Sequence, residues 1–317
     1  MQRWRGLEAI PYGWGRSVVT IGVFDGLHRG HVQLVGRAVR RARETGVPSV
    51  LMTFDPHPSE VVRPGSHPAQ LTTLRRRAEL VEQLGVEVFF VLPFTVELSW
   101  MPADEFVHEV LVERLHVAEV VVGDNFTFGH KAAGDIELLR SLGRRFGFTA
   151  EGVDLLSQGE LNFSSTYIRS CIDAGDVVAA STALGRPHRV EGIVVRGDQR
   201  GRSLGYPTAN LSTPRHAAIP ADGVYACRFA HRSRELAAAV SIGTNPTFSG
   251  RERRVEAFVL DLQEDFYGER VALDFVERLR GMCRFDTSEE LVAQIDDDVV
   301  RTRKILDRAG TGGEAGG

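Results

Sequence analysis

The stretch Gly22–His31, GVFDGLHRGH, decides the fold class of the first half of this chain and points to its chemistry. His28 and His31 stand three residues apart, where an apolar run ends and a helical pattern begins. A glycine-bearing turn at this place can bring backbone N–H groups and two imidazoles against a triphosphate. The stretch therefore predicts adenylyl transfer, and the remaining sequence has to identify the acceptor.

Two other interpretations of the histidine pair remain open on spacing alone. The histidines can be ordinary polar residues at a helix N-terminus. A zinc site is a further alternative, although no third ligand is evident nearby. The surrounding pattern GxFDGxHxGH is far more specific than the pair itself. We therefore favour phosphate chemistry for this turn.

Strand and helix patterns alternate through the first half of the chain. Strands are predicted at Ser17–Phe24, Ser49–Phe54, Val86–Leu92, Ala118–Val122 and Thr149–Leu155, and helices at His31–Glu44, Thr72–Leu84, Ala103–Leu115 and Asp135–Phe146. Such alternation predicts a Rossmann-like α/β domain, with a parallel sheet covered by helices on both faces. Ligands of such sheets bind outside the carboxyl ends of the strands, near a topological switch point. The turn at Asp25–His31 falls at such a place.

The pattern changes after residue 185. A short helical piece at Ala174–Ala183 is followed by strands at Val190–Val195, Gly223–Phe229, Leu236–Ile242, Arg254–Leu260 and Arg270–Glu277, and by a helix at Ser288–Ala309. This cadence predicts a small antiparallel β-barrel with a C-terminal helix. We therefore divide the chain into an α/β domain at residues 1–185, a barrel at 186–309 and a disordered Gly-rich tail at 310–317.

Composition and charge argue against several classes of protein. The 317 residues are 43% hydrophobic and 25% charged, as in soluble globular proteins. A net charge of −4 gives no basic footprint for nucleic acid or anionic membranes. No apolar run approaches the roughly 20 residues that span a bilayer, and the N-terminus lacks the apolar core of a signal peptide. The three distant cysteines are typical of a reduced cytosolic protein, and the basic run Arg75–Arg77 is interpreted as a solvated helix face.

Three more segments of the first half are candidates for the same site. TFDPHP and GDNFTFG follow the second and fourth predicted strands, and SSTYIR opens a helix. Phe126 and Phe128 can form a platform for a planar ring or pack in the core, and both alternatives remain open. Ser165 and Thr166 can cap the helix or, with Arg169, hold the β- and γ-phosphates of ATP.

The second half has its own candidate motifs. It contains neither a Walker-type phosphate loop nor the motifs of a protein kinase. The Gly- and Arg-rich run at 196–206 can wrap phosphates or simply form a hairpin turn. Thr208 and Asn210 face one side of an extended segment, where two neutral oxygens can share a magnesium ion. Glu256 lies in an otherwise apolar strand. It can either lie on an exposed face of the barrel or act as a general base for a substrate hydroxyl.

These motifs together resemble a known family. GVFDGLHRGH, TFDPHP, GDNFTFG and SSTYIR, in that order, resemble the nucleotidyltransferase domain of the bacterial bifunctional riboflavin kinase/FAD synthetase family. RGRSLGYPTANL, PADGVYA, SIGTNPTF and VEAFVLD resemble its riboflavin kinase barrel. The resemblance implies magnesium-dependent phosphorylation of riboflavin to FMN by ATP. It then implies adenylylation of FMN by a second ATP, which gives FAD and pyrophosphate.

The resemblance also implies site residues, position by position. The catalytic groups would be His28, His31 and Glu256. ATP and its phosphates would be bound by Gly22, Phe24, Asp25, Gly30, Asn125, Ser165, Thr166, Arg169, Gly197, Arg200, Gly201 and Arg202. The flavin would be bound by Phe54, Pro56, Phe126 and Phe128, and Mg²⁺ by Thr208 and Asn210.

Two departures from the family and two rival functions complete the expectations. Gln199 replaces a common Gly of the phosphate loop, and Ala257-Phe258 replaces the usual Thr-His after the glutamate, so we expect changed affinities rather than lost activity. One rival is a riboflavin kinase whose first half only binds nucleotide, and the other is a flavin-binding regulator without turnover. We expect a cytoplasmic enzyme with ATP, riboflavin and FMN as partners and with neither nucleic acid nor membrane, and we leave a homo-oligomer open.

Overall fold

The structure, a computed structural model, describes residues 1–154, 157–158, 161–197, 205–247, 250–262 and 264–311. The chain forms two compact units. The first comprises Met1–Pro68 and Leu74–Phe163, and the second comprises Ala69–Thr73 and the chain from Ser164 onward. The units therefore divide ahead of residue 185, and the domain border assigned there stays a prediction.

The first unit is built on a six-stranded parallel sheet. Its strands are β1 (Gln2–Arg5), β2 (Ser17–Ile21), β3 (Ser49–Asp55), β4 (Val88–Pro93), β5 (Val117–Gly123) and β6 (Thr149–Val153), and a short hairpin follows with β7 (Ser157–Gln158) and β8 (Leu161–Asn162). The strand order is β1-β4-β3-β2-β5-β6. The chain runs from β2 outward to β4 and then returns to place β5 on the other side of β2. The loop after β2 therefore lies at the topological switch point, as expected.

Helices cover both faces of this sheet. They are α1 (Arg29–Thr45), α2 (Pro58–Val62), α3 (Leu74–Gln83), α4 (Val96–Trp100), α5 (Ala103–Phe106) and α6 (Ile136–Phe146). All five residues of β2 are buried. Val18 packs in one cluster with Leu34 of α1, and Val19 packs in the other with Leu139 of α6. Burial on both faces explains the continuous apolar strands of the sequence and confirms the predicted α/β class.

The predicted helix Ala103–Leu115 is only partly correct. After Phe106 the chain widens into a π-helical segment, Val107–Val112. There the N–H of Glu113 donates to the carbonyl of His108 over 2.9 Å, five residues back. Hydrophobic periodicity does not distinguish this wider turn from an α-helix, since both bury the same kind of stripe.

The second unit contains a closed antiparallel barrel, which confirms the predicted architecture. Its strands are β9 (His188–Val195), β10 (Ala209–Ser212), β11 (Gly223–His231), β12 (Arg234–Thr247), β13 (Gly250–Val259) and β14 (Arg270–Arg280). The order around the barrel is β10-β13-β12-β11-β14-β9, and β9 pairs with β10 to close it. The short strand β10 has no apolar run of its own and is missing from the sequence-based assignment.

Three helices accompany the barrel: α7 (Ser165–Ala174), α8 (Val177–Leu184) and α9 (Ser288–Thr311). The helical piece expected at Ala174–Ala183 corresponds to α8, which begins three residues later than predicted. Gly175 ends α7 at a positive φ of 78°, and Asp176 caps α8 by accepting from the N–H of Ala179 over 2.9 Å.

The C-terminal helix α9 packs against β11, β12 and β14. At its start, Thr287 Oγ1 accepts from the N–H of Glu290, and the Glu290 carboxylate accepts from the N–H of Asp286. Gly310 and Thr311 belong to this helix, although we predict a disordered tail from residue 310. Residues 312–317 lie outside the described chain.

The segment Ala69–Thr73 belongs to the second unit, although it follows β3 in the chain. The N–H of Gln70 donates to the carbonyl of His216 over 2.6 Å, and the N–H of Ala218 donates to the carbonyl of Gln70 over 2.9 Å. The predicted helix Thr72–Leu84 consequently starts only at Leu74. Within the described ranges, no helix has the length and apolarity needed to cross a membrane.

Candidate active sites

The turn between β2 and α1 holds the two histidines. Phe24 and Leu27 adopt positive φ angles of 52° and 40°, and Gly26 has a φ of 81°. His28 is the N-cap of α1, and its Nδ1 accepts a hydrogen bond from the N–H of His31 at 3.4 Å. His31 therefore lies in the first turn of a 17-residue helix, where exposed N–H groups and the helix dipole favour phosphate.

The two imidazoles are stacked on each other. Their ring centroids are 3.6 Å apart and their planes differ by 22°. Phe24 lies edge-on to His31, with 5.2 Å between ring centroids. Gly30 permits this packing, because a Cβ there would lie only 3.3 Å from the His28 ring. Packing on several sides thus orients both rings, and His28 is only 4% exposed.

The surroundings of His31 favour its neutral form. Burial, followed by the neighbouring His28 and by the guanidinium of Arg77, holds the pKa of His31 well below its usual value. A neutral imidazole offers one N–H donor and one acceptor. The buried Nδ1 of His31 has no hydrogen-bond partner among the described residues. A bound ligand can satisfy such a nitrogen.

The other residues predicted in this turn lie beneath the histidines. A Cβ at Gly22 would lie 3.2 Å from the Phe24 ring, so this glycine makes room for the aromatic side chain. Phe24 and Asp25 are both buried, and Asp25 pairs with Arg77 of α3 at 3.4 Å. The solvated helix face expected for Arg75–Arg77 is therefore wrong for Arg77. A direct contact of these side chains with ATP stays a prediction.

Two further loops leave the same edge of the sheet. β3 and β5 are the two neighbours of β2, so the residues after all three parallel strands meet there. Phe54, near the end of β3, lies edge-on to Phe94 with 5.6 Å between centroids, and Pro56 follows a cis peptide bond. Asn125 is the second residue after β5 and is exposed. The structure thus brings the histidine turn, the β3 loop and the β5 loop to one edge of the first unit.

The aromatic pair of the β5 loop is mostly core. Phe126 and Phe128 are stacked, with 5.6 Å between centroids and 13° between planes. Phe128 is 8% exposed and packs against Phe106, whereas Phe126 is half-buried. Of the two alternatives left open from the sequence, core packing describes Phe128, and Phe126 retains an accessible part.

Sequence reasoning missed an exposed apolar rim beside these loops, formed by Val62, Val96 and Trp100. Val62 ends α2, the other two lie on α4, and the two helices pack together. Trp100 is 70% exposed, and its ring lies 6.0 Å from that of His130 in the β5 loop. Helices of five residues leave little periodicity in a sequence, so no clear signal marks this rim.

The residues predicted to hold the β- and γ-phosphates open helix α7 of the second unit. Ser164 is the N-cap, and its Oγ accepts from the N–H of Tyr167 at 3.1 Å. Ser165 and Thr166 are the first two helical residues, so the capping role falls on their predecessor. Arg169 lies one turn later and donates from Nε to the carbonyl of Ala69 over 2.6 Å.

The second unit contains a cavity of about 550 Å³ at the start of β10. Asn210 and Gly197 line it, together with Asp173 and Ser212. Four arginines also line it: Arg196, Arg215, Arg253 and Arg254. Such a polar and strongly cationic cavity suits an anionic ligand such as a nucleotide phosphate. Arg215 and Arg253 were not among the candidates expected from the sequence, although the run RERR ends two residues before the predicted base.

Asn210 and Glu256 are direct cross-strand neighbours. Asn210 of β10 is paired with Glu256 of β13, and Ser241 of β12 is paired with Glu256 on the other side. Paired residues of antiparallel strands point to the same face. The flanking Val255 and Ala257 are buried, so Glu256 faces the outside of the barrel, where it is half-buried. Thr208 precedes β10 by one residue and is also half-buried.

The two departures from the family pattern that follow Glu256, Ala257 and Phe258, lie on opposite faces of β13. Ala257 points into the barrel and is fully buried, away from the face of Glu256. Phe258 shares the outer face and lies edge-on to Tyr206, with 5.3 Å between centroids. The Tyr206 hydroxyl in turn donates to Asp296 of α9 over 2.6 Å. Gln199, Arg200, Gly201 and Arg202 lie outside the described residues.

Family sequence models match each half of the chain. The sequence model of the FAD synthetase family matches residues 12–167, and that of the riboflavin kinase family matches residues 184–306. The first match includes the histidine turn, and the second includes Asn210 and Glu256.

Curated relatives match over nearly the full length. The bifunctional riboflavin kinase/FMN adenylyltransferase of Escherichia coli K12 is 34% identical and covers 91% of this chain and 92% of its own. The protein of the same name from Pseudomonas fluorescens is 37% identical over 96% and 98%. A crystal structure named macrolide-efflux protein, from Streptococcus pneumoniae, has a TM-score of 0.87 at 32% identity, covering 96% of this chain and 99% of its own. Its name describes that protein, and its likeness supports the same overall fold.

Proposed function

The chain belongs to the bifunctional riboflavin kinase/FMN adenylyltransferase family, and we propose that its histidine turn and its barrel divide the two reactions between them. It phosphorylates riboflavin to FMN with ATP and adenylylates FMN with ATP to FAD and pyrophosphate. The division rests on the stacked His28–His31 pair at the switch point of the parallel sheet and on the Asn210–Glu256 pair of the barrel.

In the adenylylation step, a phosphate oxygen of FMN attacks the α-phosphorus of ATP. A new P–O bond forms, the bond from the α-phosphorus to the bridging oxygen breaks, and pyrophosphate leaves. His28, His31 and Asn125 stabilise the negative charge that gathers on the α-phosphate oxygens, together with the first N–H groups of α1. Ser165, Thr166 and Arg169 remain candidates for binding phosphate, since they lie at the start of the ten-residue helix α7.

In the kinase step, the terminal ribityl hydroxyl of riboflavin attacks the γ-phosphorus of ATP and ADP leaves. Glu256 accepts the hydroxyl proton. Its half-buried position opposite Asn210, which lines the cationic cavity, supports this role. The phosphates are bound by Gly197, Arg200, Gly201 and Arg202. Arg253, which also lines the cavity, adds a positive charge, and its Nη1 donates to the carbonyl of Ile219 over 2.7 Å.

The barrel site has the ligands that Mg²⁺ prefers. Thr208 and Asn210 offer neutral oxygens, and Mg²⁺ binds through a few hard oxygen ligands together with water and substrate phosphates. Gly197 supports this use of Asn210, because any Cβ at Gly197 would overlap the Asn210 amide and displace it. When bound, the ion neutralises phosphate charge.

The flavin ring binds at the edge where the β3 and β5 loops meet. Phe54, Pro56 and Phe126 form its inner wall, with Phe128 packed behind them, and the exposed Trp100 of the apolar rim adds a further aromatic face. A planar apolar ring gains about 0.5–1.5 kcal/mol from a well-placed aromatic partner beyond simple burial.

Trp100→Ala is accordingly expected to raise the KM for FMN in adenylylation by about threefold to tenfold. The KM for riboflavin in phosphorylation stays unchanged, and Trp100→Phe restores most of the FMN affinity. Steady-state kinetics with each flavin measure both constants. Tyr12→Ala is the matched control, since Tyr12 is a fully exposed aromatic residue of the same unit. An unchanged KM for FMN in Trp100→Ala would remove this residue from the flavin site.

Gly197→Ala is expected to impair FMN formation selectively. The added methyl group overlaps the Asn210 amide, and overpacking of this kind costs about 1–3 kcal/mol. We therefore expect kcat/KM for riboflavin phosphorylation to fall by about tenfold or more, while FAD formation from supplied FMN is retained. Gly281→Ala is the control, because a Cβ at that position contacts nothing within 4 Å. Normal phosphorylation in Gly197→Ala would contradict the placement of Asn210 in the site.

The activity itself is tested by chromatography of riboflavin incubated with ATP and magnesium. We expect FMN to appear first and FAD to follow, and we expect EDTA to stop both. FMN alone would indicate a kinase whose first half only binds nucleotide. Neither product would indicate a flavin-binding regulator.

The same proposal places the enzyme in the cytoplasm. Cys171, Cys227 and Cys283 are all free, as is usual for proteins of reducing compartments. ATP, riboflavin and FMN are its small-molecule partners. The net charge of −4 favours no nucleic-acid partner, and a homo-oligomer remains compatible with the sequence.

A further inference from the structure

Arg77 is the most deeply buried residue of the basic run Arg75–Arg77. The side chains of Arg75, Arg76 and Arg77 on α3 are 62%, 17% and 4% exposed. An arginine is almost never buried in a protein core unless it is paired, because losing its hydration costs several kcal/mol. Helical rotation turns this third arginine toward the sheet, beside the buried Ala78 and Val81. The buried guanidinium of Arg77 therefore needs hydrogen-bonding partners that offset the loss of its hydration.

The partners of Arg77 are the residues that lead into the histidine turn. Its Nη1 donates to the carbonyl of Val23 over 2.8 Å and lies 3.3 Å from the Thr53 hydroxyl, while its Nη2 lies 3.4 Å from Asp25 Oδ1. Thr53 itself donates to the same Val23 carbonyl over 2.9 Å. One guanidinium thus ties α3 and β3 to the backbone between β2 and His28.

This turn needs such an anchor. Phe24 and Leu27 are non-glycine residues with positive φ, a conformation that costs about 1–3 kcal/mol each unless the surroundings enforce it. The carbonyl of Val23 directly precedes Phe24, and Asp25 directly follows it. The contacts of Arg77 therefore lie on both sides of the strained residue whose ring packs against His31.

The charge of Arg77 also reaches the histidine pair. Together with burial and His28, it lowers the pKa of His31. Two titratable groups act on His31 directly, His28 of the same turn and Arg77 of α3. Asp25 belongs to the same set of charges, because it is paired with Arg77. Removal of the guanidinium would take away one lowering influence and leave the Asp25 carboxylate without this counter-charge. Both changes raise the pKa of His31, so its protonated form would persist to higher pH.

We propose that Arg77 is a positioning residue of the adenylylation site: its buried guanidinium holds the Val23–Asp25 backbone and thereby orients His31. This inference rests on the proposed function of the histidine pair. Arg77 acts from below the turn and makes no contact with substrate in this role. A displacement of about 1 Å at a catalytic group can cost about 10²-fold in rate.

The test compares Arg77→Met, Arg77→Lys and the control Arg75→Met in the full-length enzyme. We expect Arg77→Met to lower kcat/KM of FAD formation by about 10²-fold, with FMN formation unchanged, and to move the NMR titration midpoint of His31 to higher pH. Arg75→Met should match the parent enzyme in all three measurements. A parent-like rate of FAD formation and a parent-like His31 titration in Arg77→Met would overturn the proposal.

Arg77→Lys decides the matter if Arg77→Met does not fold. Lysine keeps the charge but lacks the planar fork that reaches Val23 and Asp25 together. Slower FAD formation at an unchanged rate of FMN formation supports the proposal, and parent-like rates of both overturn it. If His31→Ala leaves FAD formation intact, the proposed function of the histidines fails instead, and the two failures are thereby distinguished.

Discussion

His31→Ala is expected to abolish most FAD formation while riboflavin phosphorylation continues at the parent rate. The buried Nδ1 of His31 has no partner among the described residues, and its ring lies at the start of α1. Loss of one such donor to a developing oxyanion typically costs about 3 kcal/mol, or 10²–10³-fold in rate. Chromatography of FMN and FAD from one reaction measures both activities, and His108→Ala, an exposed histidine of the same unit, is the control.

His28 requires a different substitution. Its ring accepts the N–H of His31 as the N-cap of α1, so alanine would also remove a cap worth about 0.5–2 kcal/mol of stability. His28→Asn keeps a capping acceptor and loses the imidazole. We expect it to reduce FAD formation as strongly as His31→Ala, with a smaller change in melting temperature than His28→Ala. Equal loss of FMN and FAD in these variants would contradict the separation of the two sites.

Glu256→Gln is expected to have the opposite selectivity. The amide keeps the size of the side chain but cannot accept the hydroxyl proton of riboflavin, and loss of a general base typically costs about 10²–10⁴-fold. FMN formation should therefore nearly stop, while FAD formation from supplied FMN proceeds normally. Glu256 shares its face with Asn210, so the loss belongs to the barrel site.

Glu235→Gln is the matched control for this prediction, because Glu235 is an exposed barrel carboxylate paired opposite Ala230 on the neighbouring strand. It should leave both rates unchanged. Unimpaired riboflavin phosphorylation in Glu256→Gln would exclude Glu256 as the base and would leave Asn210 and the cationic cavity as the only support for a kinase site there.

Local sequence patterns predicted most of the fold correctly. The run at Ser17–Ile21 is apolar because β2 is buried on both faces, and the alternation in β9 and β13 reflects one buried and one exposed face. The errors occur where a single local signal misleads. The predicted helical piece Ala174–Ala183 begins too early, because Gly175 ends α7 and Asp176 caps α8. The widened turn at Val107–Val112 has the periodicity of an ordinary helix.

The two-part architecture, the order of the motifs and the family resemblance follow from the amino-acid sequence alone, because hydrophobic periodicity and short motifs are local properties of the chain. The three-dimensional packing, in contrast, was needed to show that Arg77 is buried against the histidine turn, that Glu256 pairs with Asn210, and that Ala69–Thr73 belongs to the barrel unit. These facts depend on contacts between residues that are distant in sequence. The residue type alone does not specify which residue a side chain contacts. Whether the side chain is buried depends on how the strands and helices pack together.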